Sequence, residues 1–219
     1  MRVLLALTLL ATVDAVFQPT TNAQLKTAVD ACIAENSVGN CPNVASTSDG
    51  AGGTYGLIGT WDVSQVTDMT FMFQSTSAFN QDLSAWDVSK VTIMQDVFSG
   101  ASAFNQDISG WDVSKVTDMH QMFFYASAFN QDLSAWDVGQ VTTMEAMFQR
   151  ASAFNQDLSA WDVSKVGTMW QMFAWASAFN QDLSAWTVSS VTNMYAMFYS
   201  ASAFNFALCG QAWVDSTAD

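Results

Sequence analysis

The chain has 219 residues, half of them apolar and only 12% charged, with a formal net charge of -14. So apolar a composition excludes a disordered polyelectrolyte and leaves ample material for a core. The acidic balance speaks against nucleic acid and anionic membrane surfaces as partners, because like charges repel and no counterions are released on binding.

Residues 1-15 read as a secretory signal peptide. Arg2 precedes an apolar run from Val3 to Val13, and Val13-Asp14-Ala15 is small enough at its outer positions for cleavage after Ala15. The run is shorter than the roughly 20 residues that span a bilayer comfortably, so no membrane insertion is expected and the mature chain is secreted or displayed on an extracellular surface. In such an oxidising setting Cys32 and Cys41 are expected to close a small loop, with Cys209 either a buried free thiol or an intermolecular handle. There is no CxxC, and the only histidine, His120, has no counterpart elsewhere, so neither a zinc site nor any other cofactor is expected.

Residues 16-56 read as an N-terminal cap. In "TNAQLKTAVDACIAEN", residues 21-36, Leu25, Val29, Cys32 and Ile33 share one helical face, and Thr21 or Asn22 can serve as N-cap. Residues 42-56, rich in Pro, Ser, Gly and Thr, read as a connecting loop.

From residue 57 to 205 the chain repeats itself. Tryptophan recurs at 61, 86, 111, 136, 161 and 186, an unbroken 25-residue period with the consensus W-D-V-S-x-V-T-x-M-x-x-M-F-x-x-A-S-A-F-N-Q-D-[LI]-S-[AG]. At Phe206 "FALCGQAW" replaces "QDLSAW", so residues 206-219 read as a C-terminal cap in which Phe206, Leu208 and Trp213 close the stack.

Two periods appear within a unit. Met69, Met72, Phe73 and Thr76, like Met119, Met122, Phe123 and Ala126, stand at i, i+3, i+4 and i+7, the stripe of a short helix with Thr67 or Asp68 as its cap. In "LSAWDV", Trp86 and Val88 alternate with Asp87, as in a short strand with one side inward. Each unit therefore reads strand, turn, helix, and stacking is needed because a single unit buries too little.

The composite unit "ASAFNQDLSAWDVSKVTDM", met as "ASAFNQDISGWDVSKVTDM" at 101-119 and in similar variants elsewhere, resembles the repeat of BspA-type leucine-rich-repeat surface proteins, and the likeness covers residues 57-205 almost continuously. Leu83-x-x-Trp86-x-Val88 also fits the leucine-rich-repeat core L-x-x-L-x-L. The resemblance implies an α/β repeat solenoid, a leucine-rich-repeat-like stack of six 25-residue strand-turn-helix units behind an N-terminal capping helix, used for attachment or recognition. Val91 stands where many leucine-rich repeats carry asparagine, so an asparagine ladder would have to use Asn80, Asn105, Asn130, Asn155, Asn180 and Asn205. The leader also lacks the cysteine that lipidates bacterial relatives.

Two acidic columns run along the repeat, Asp62 to Asp162 beside the tryptophans and Asp82 to Asp182 after each Asn-Gln. Their plain reading is carboxylates in solvent or accepting turn N-H groups; calcium bridging between neighbours is the sharper alternative. Ten equivalent aspartates do not make one catalytic pair with separated pKa values, and with no nucleophile elbow, phosphate loop or histidine dyad present, no enzyme is expected.

The letters that change lie at the tenth, eleventh, fourteenth and fifteenth positions counted from each tryptophan, on the side expected to face solvent. There Phe71, Phe124, Tyr125, Trp170, Trp175, Tyr195 and Tyr199 form an unusual aromatic load, and exposed aromatic surface marks binding faces. The expected function is a secreted or surface binding module that contacts a glycan or a protein through these rings. The alternative is a structural surface that organises calcium or ice through its Asp columns and the Ser64, Ser89, Ser114, Ser164 and Ser189 array.

Overall fold

The computed structural model describes residues 16-48, 54-208 and Trp213. The expected signal peptide and Cys209 lie outside these residues, and so does most of the expected C-terminal cap.

Helix α1, Asn22-Glu35, begins at Thr21, whose hydroxyl accepts the N-H of Gln24 at 3.3 Å. It buries Leu25, Ala28, Val29 and Cys32 in a core continuous with the repeats. The Asn22 amide donates to the carbonyls of Asp68 and Thr70, which pins the helix to the first unit. Cys32 is disulfide-bonded to Cys41. Helix α2, Pro42-Ser46, follows, and the Glu35 carboxylate accepts the N-H groups of Asn43 and Val44 at its start. Between the helices Gly39 lies against the first Phe79 ring; its φ is +84°, and a Cβ there would stand 2.6 Å from that ring, so only glycine fits.

The repeats correct the expected architecture. They are not strand-turn-helix units, and the chain is not an α/β solenoid. Among the described residues the helices are α1, α2 and one 3-10 turn at Ile58-Thr60, and β pairing between units is confined to single-residue parallel bridges that link Asp68, Ile93, Asp118, Thr143, Thr168 and Asn193 in turn. The segment expected to be a helix is a run of overlapping turns. Met72, Gln74 and Thr76 donate N-H bonds to the carbonyls three residues before them, while Met69, Phe71, Phe73 and Ser75 donate to Ile93, Gln95, Val97 and Ser99 of the next unit at 2.7-3.0 Å. A helix would have returned every N-H to its own fourth predecessor. Here alternate N-H groups leave the unit, and stacking is written into the backbone. The segment expected to be a strand is also two turns, closed by Trp86 N-H to Leu83 and Val91 N-H to Val88.

This backbone is strained where the sequence varies. The eleventh and fifteenth positions of every unit have left-handed φ values, from Phe71 at 61° and Ser75 at 62° to Ala196 at 56° and Ser200 at 57°, and Gly100 is the only glycine among them. A left-handed residue with a side chain costs roughly 1-2 kcal/mol. The inter-unit bonds and the packed interior hold it there.

The interior is a set of vertical columns. Each buried tryptophan of the second to sixth units donates its indole N-H to a carbonyl of the preceding unit, as Trp111 does to Leu83 at 3.1 Å and Trp161 to Leu133 at 2.9 Å. Indole suits this place because it fills a large space and gives a second hydrogen bond to a buried carbonyl that already closes its own turn, as Leu83 does with the N-H of Trp86. Phe98, Phe123, Phe148 and Phe173 stack at 5.5-5.7 Å between centroids, and Phe104, Phe129, Phe154 and Phe179 at 6.0-6.1 Å. On the rim, Asn80, Asn105, Asn130, Asn155 and Asn180 each accept with the side-chain oxygen the N-H of the next asparagine at 2.8-3.1 Å. An asparagine ladder is thus present at these positions.

Candidate functional site

The turn ladder determines which side chains reach the surface. Its backbone groups pair with the adjacent units, and the side chains at the four variable positions differ in depth: Asp96, Ser99, Ala146, Gln149 and Ala174 are buried, against the expectation that this side faces solvent throughout. None of the seven singled-out rings is fully enclosed: Phe71, Tyr125, Tyr195 and Tyr199 are 41%, 43%, 63% and 57% exposed, and Phe124, Trp170 and Trp175 are half-buried.

Four of these rings are brought together. Phe124 meets Tyr125 edge-on at 4.5 Å, and Trp175 meets Tyr199 edge-on at 5.0 Å. Arg150 joins the two pairs, with its guanidinium carbon 4.9 Å from the Tyr125 centroid and 4.5 Å from that of Trp175. Tyr125, Arg150 and Trp175 are successive residues of the fifteenth column, so the 25-residue register alone places a cation between two ring faces. Sequence reasoning that sought aromatic residues passed over Arg150; reading down the column would have found it. Phe71, Trp170 and Tyr195 make no ring contact among the described residues. Tyr195 and Tyr199 do not stack as an i, i+4 helical pair would, because no helix is present there.

Beside this cluster lies a groove of about 440 Å³ where Gly100 interrupts the fifteenth column. Ser75, Ser99, Gln121, Phe124 and Tyr125 line it. A second cavity of about 500 Å³ lies by the cap, among Phe17, Pro19, Ala23 and Tyr55.

The face also carries buried polar groups. Asp96 is 3% exposed and its Oδ1 has no hydrogen-bond partner, while Gln149, 7% exposed, donates to Gln171 at 2.7 Å. His120 Nδ1 stands 3.9 Å from Glu145 Oε1. No group of three or more His, Cys, Asp or Glu gathers as metal ligands among the described residues.

The acidic columns lie elsewhere, along the rim. Each Asp Oδ1 accepts the N-H of the residue two positions on, at 3.0 Å for Asp87 and Asp112 and 2.8-2.9 Å for Asp82, Asp107 and Asp132. The hydroxyl of that serine, followed by its N-H, holds Asp87, Asp107, Asp112 and Asp162 below the ordinary carboxyl value of 3.8. In Asp82, Asp132 and Asp182 the N-H acts first and the hydroxyl second. These carboxylates already serve the turns.

The family described as "Mycoplasma protein of unknown function, DUF285" matches residues 44-153 and again 132-218, together most of the chain. Neither a curated protein nor a solved structure matches it. No helix among the described residues is long and apolar enough to cross a membrane.

Proposed function

The chain belongs to the DUF285 family, and from that premise and the geometry of its variable face we propose that it is a non-catalytic, extracellular binding module whose fifteenth column and neighbouring rings contact a glycan or protein. The observation that carries this reading is the linked cluster Phe124, Tyr125, Arg150, Trp175 and Tyr199, displayed on an otherwise uniform stack. A scaffold needs no aromatic residue at a left-handed, partly exposed position; Tyr125 and Trp175 sit there at φ of 55° and 57°. Stiff rings among Ser, Gly and Gln supply contact area at little entropic cost, as in the loops of binding proteins. The likeness to BspA-type surface repeats and the expected leader point the same way.

Changing Phe124, Trp170 and Trp175 together to Ser tests it. Binding on glycan arrays or to cell surfaces should be abolished while the melting temperature falls by only a few degrees. Unchanged binding, or collapse of the fold, would overturn the proposal. Secretion is checked by N-terminal sequencing of exported protein, expected to begin at Val16.

A further inference from the structure

We infer that the ligand of this face is an acidic sugar, with its carboxylate on Arg150 and its neighbouring ring in the groove opened by Gly100. The inference rests on the binding reading above and names the ligand class for the same site.

Arg150 is held in an unusual way. Its guanidinium carbon lies over the rings of both Tyr125 and Trp175, and its side chain makes no hydrogen bond or ion pair among the described residues. A guanidinium held between two rings, with no acceptor of its own, has its N-H donors free, and their planar fork matches the two oxygens of a carboxylate. The lysines of the repeats lie elsewhere: Lys90 and Lys165 donate to Gln65 and Gln140, and Lys115 to the Ser89 carbonyl. Arg150 is therefore the one permanently charged cation at the variable positions of a chain whose net charge is -14. One positive edge in a negative field selects sparse negative charge and repels a dense polyanion.

The groove supplies the second half of the site. Tyr125 separates Gly100 from Arg150 in the column, and it both meets the guanidinium with its ring and lines the groove. Gly100 and Arg150 are two units apart, roughly 10 Å at the spacing of hydrogen-bonded neighbouring chains. A ligand spanning them would be longer than one carboxylate group. Ring walls with the hydroxyls of Ser75 and Ser99 and the amide of Gln121 suit a polyol, which offers an apolar face and many hydroxyls. A peptide strand has no edge to join here, since the N-H groups of Ser75, Gly100 and Tyr125 are already bonded to the next unit.

The test is calorimetric binding of oligosaccharides that carry a single uronate or a single sialic acid to the intact chain, alongside their methyl esters, neutral oligosaccharides of equal length and a hexaglutamate peptide. At least one acidic oligosaccharide should bind. Esterification or Arg150→Gln should each weaken it about 10- to 100-fold, and Arg150→Lys should recover part of the loss. The ester comparison uses the unaltered protein, so it decides the matter even where a variant folds poorly. Binding of neutral oligosaccharides alone, equally by Arg150→Gln, would overturn this inference and leave the binding reading standing. Preference for hexaglutamate would overturn it in favour of a protein ligand, and binding of no probe would overturn it outright; cell-surface binding by the same preparation would then show that the binding reading survives.

Discussion

From Trp86 to Trp186 the interior repeats one residue in one pose with one hydrogen bond to the unit before it, whereas the fifteenth column runs Ser75, Gly100, Tyr125, Arg150, Trp175 and Ser200. Both columns have the same register and neighbour spacing. They differ in what the backbone asks of the side chain. In the interior the side chain itself joins the units, through ring stacking and indole N-H bonds. On the variable face the backbone joins them through the turn ladder, and the residue must only tolerate a left-handed φ. Diversity is admitted where the main chain does the joining and the side chain is not part of the packed interior, whereas Met69 and Phe73, in the same ladder but buried, recur unchanged.

The largest effect that would break this contrast lies in the interior. Trp136→Ala should destabilise the fold by about 3-5 kcal/mol in denaturant unfolding, from a cavity and the lost inter-unit bond to the Ile108 carbonyl, which keeps only the N-H of Trp111. Trp136→Phe restores most of the volume but not the bond, and should retain about 0.5-1.5 kcal/mol of that loss. If Phe were as good as Trp, the inter-unit indole bond would contribute nothing.

Acidification probes the rim. The depressed aspartates bind protons less readily folded than unfolded, so their contribution is complete above the unfolded carboxyl value near 4 and is lost as pH falls through the lower folded values. Denaturant midpoints should stay level from pH 7 to 5 and drop below about pH 4, and Ser89→Ala with Ser114→Ala should flatten that drop. A rise in stability on acidification would mean that repulsion along the columns, such as that of Asp107 on Asp82, outweighs the turn bonds.

On the variable face Tyr199→Ser should change stability by less than about 1 kcal/mol, since it removes one exposed ring and an edge contact with Trp175. A loss as large as that of Trp136→Ala would erase the distinction between the two regions.

These comparisons also show what the sequence makes legible. The 25-residue period places Trp on Trp and Phe on Phe, and the amphipathic spacing after Thr21 belongs to the helix α1. The local conformation of the unit was misread for a physical reason. Overlapping turns that place a left-handed residue every fourth position bury Met69, Met72 and Phe73 with the spacing of a helix, so periodicity does not separate the two. Gly100 hinted at the difference, but one glycine among side-chain-bearing equivalents was a faint signal. Within the site, the rings were visible as residue types; the pairing of Tyr125 and Trp175 through Arg150 required reading down a column.

The central claim, that the variable segment is a ladder of left-handed turns, is tested most directly by Ser75→Gly and Ala196→Gly in thermal melts. At φ of 62° and 56° glycine removes side-chain strain, and each variant should be about 0.5-1 kcal/mol more stable than the parent. In a helix the change from Ala to Gly costs about as much as the ladder predicts it to gain, so a lower melting temperature for Ala196→Gly would contradict the account.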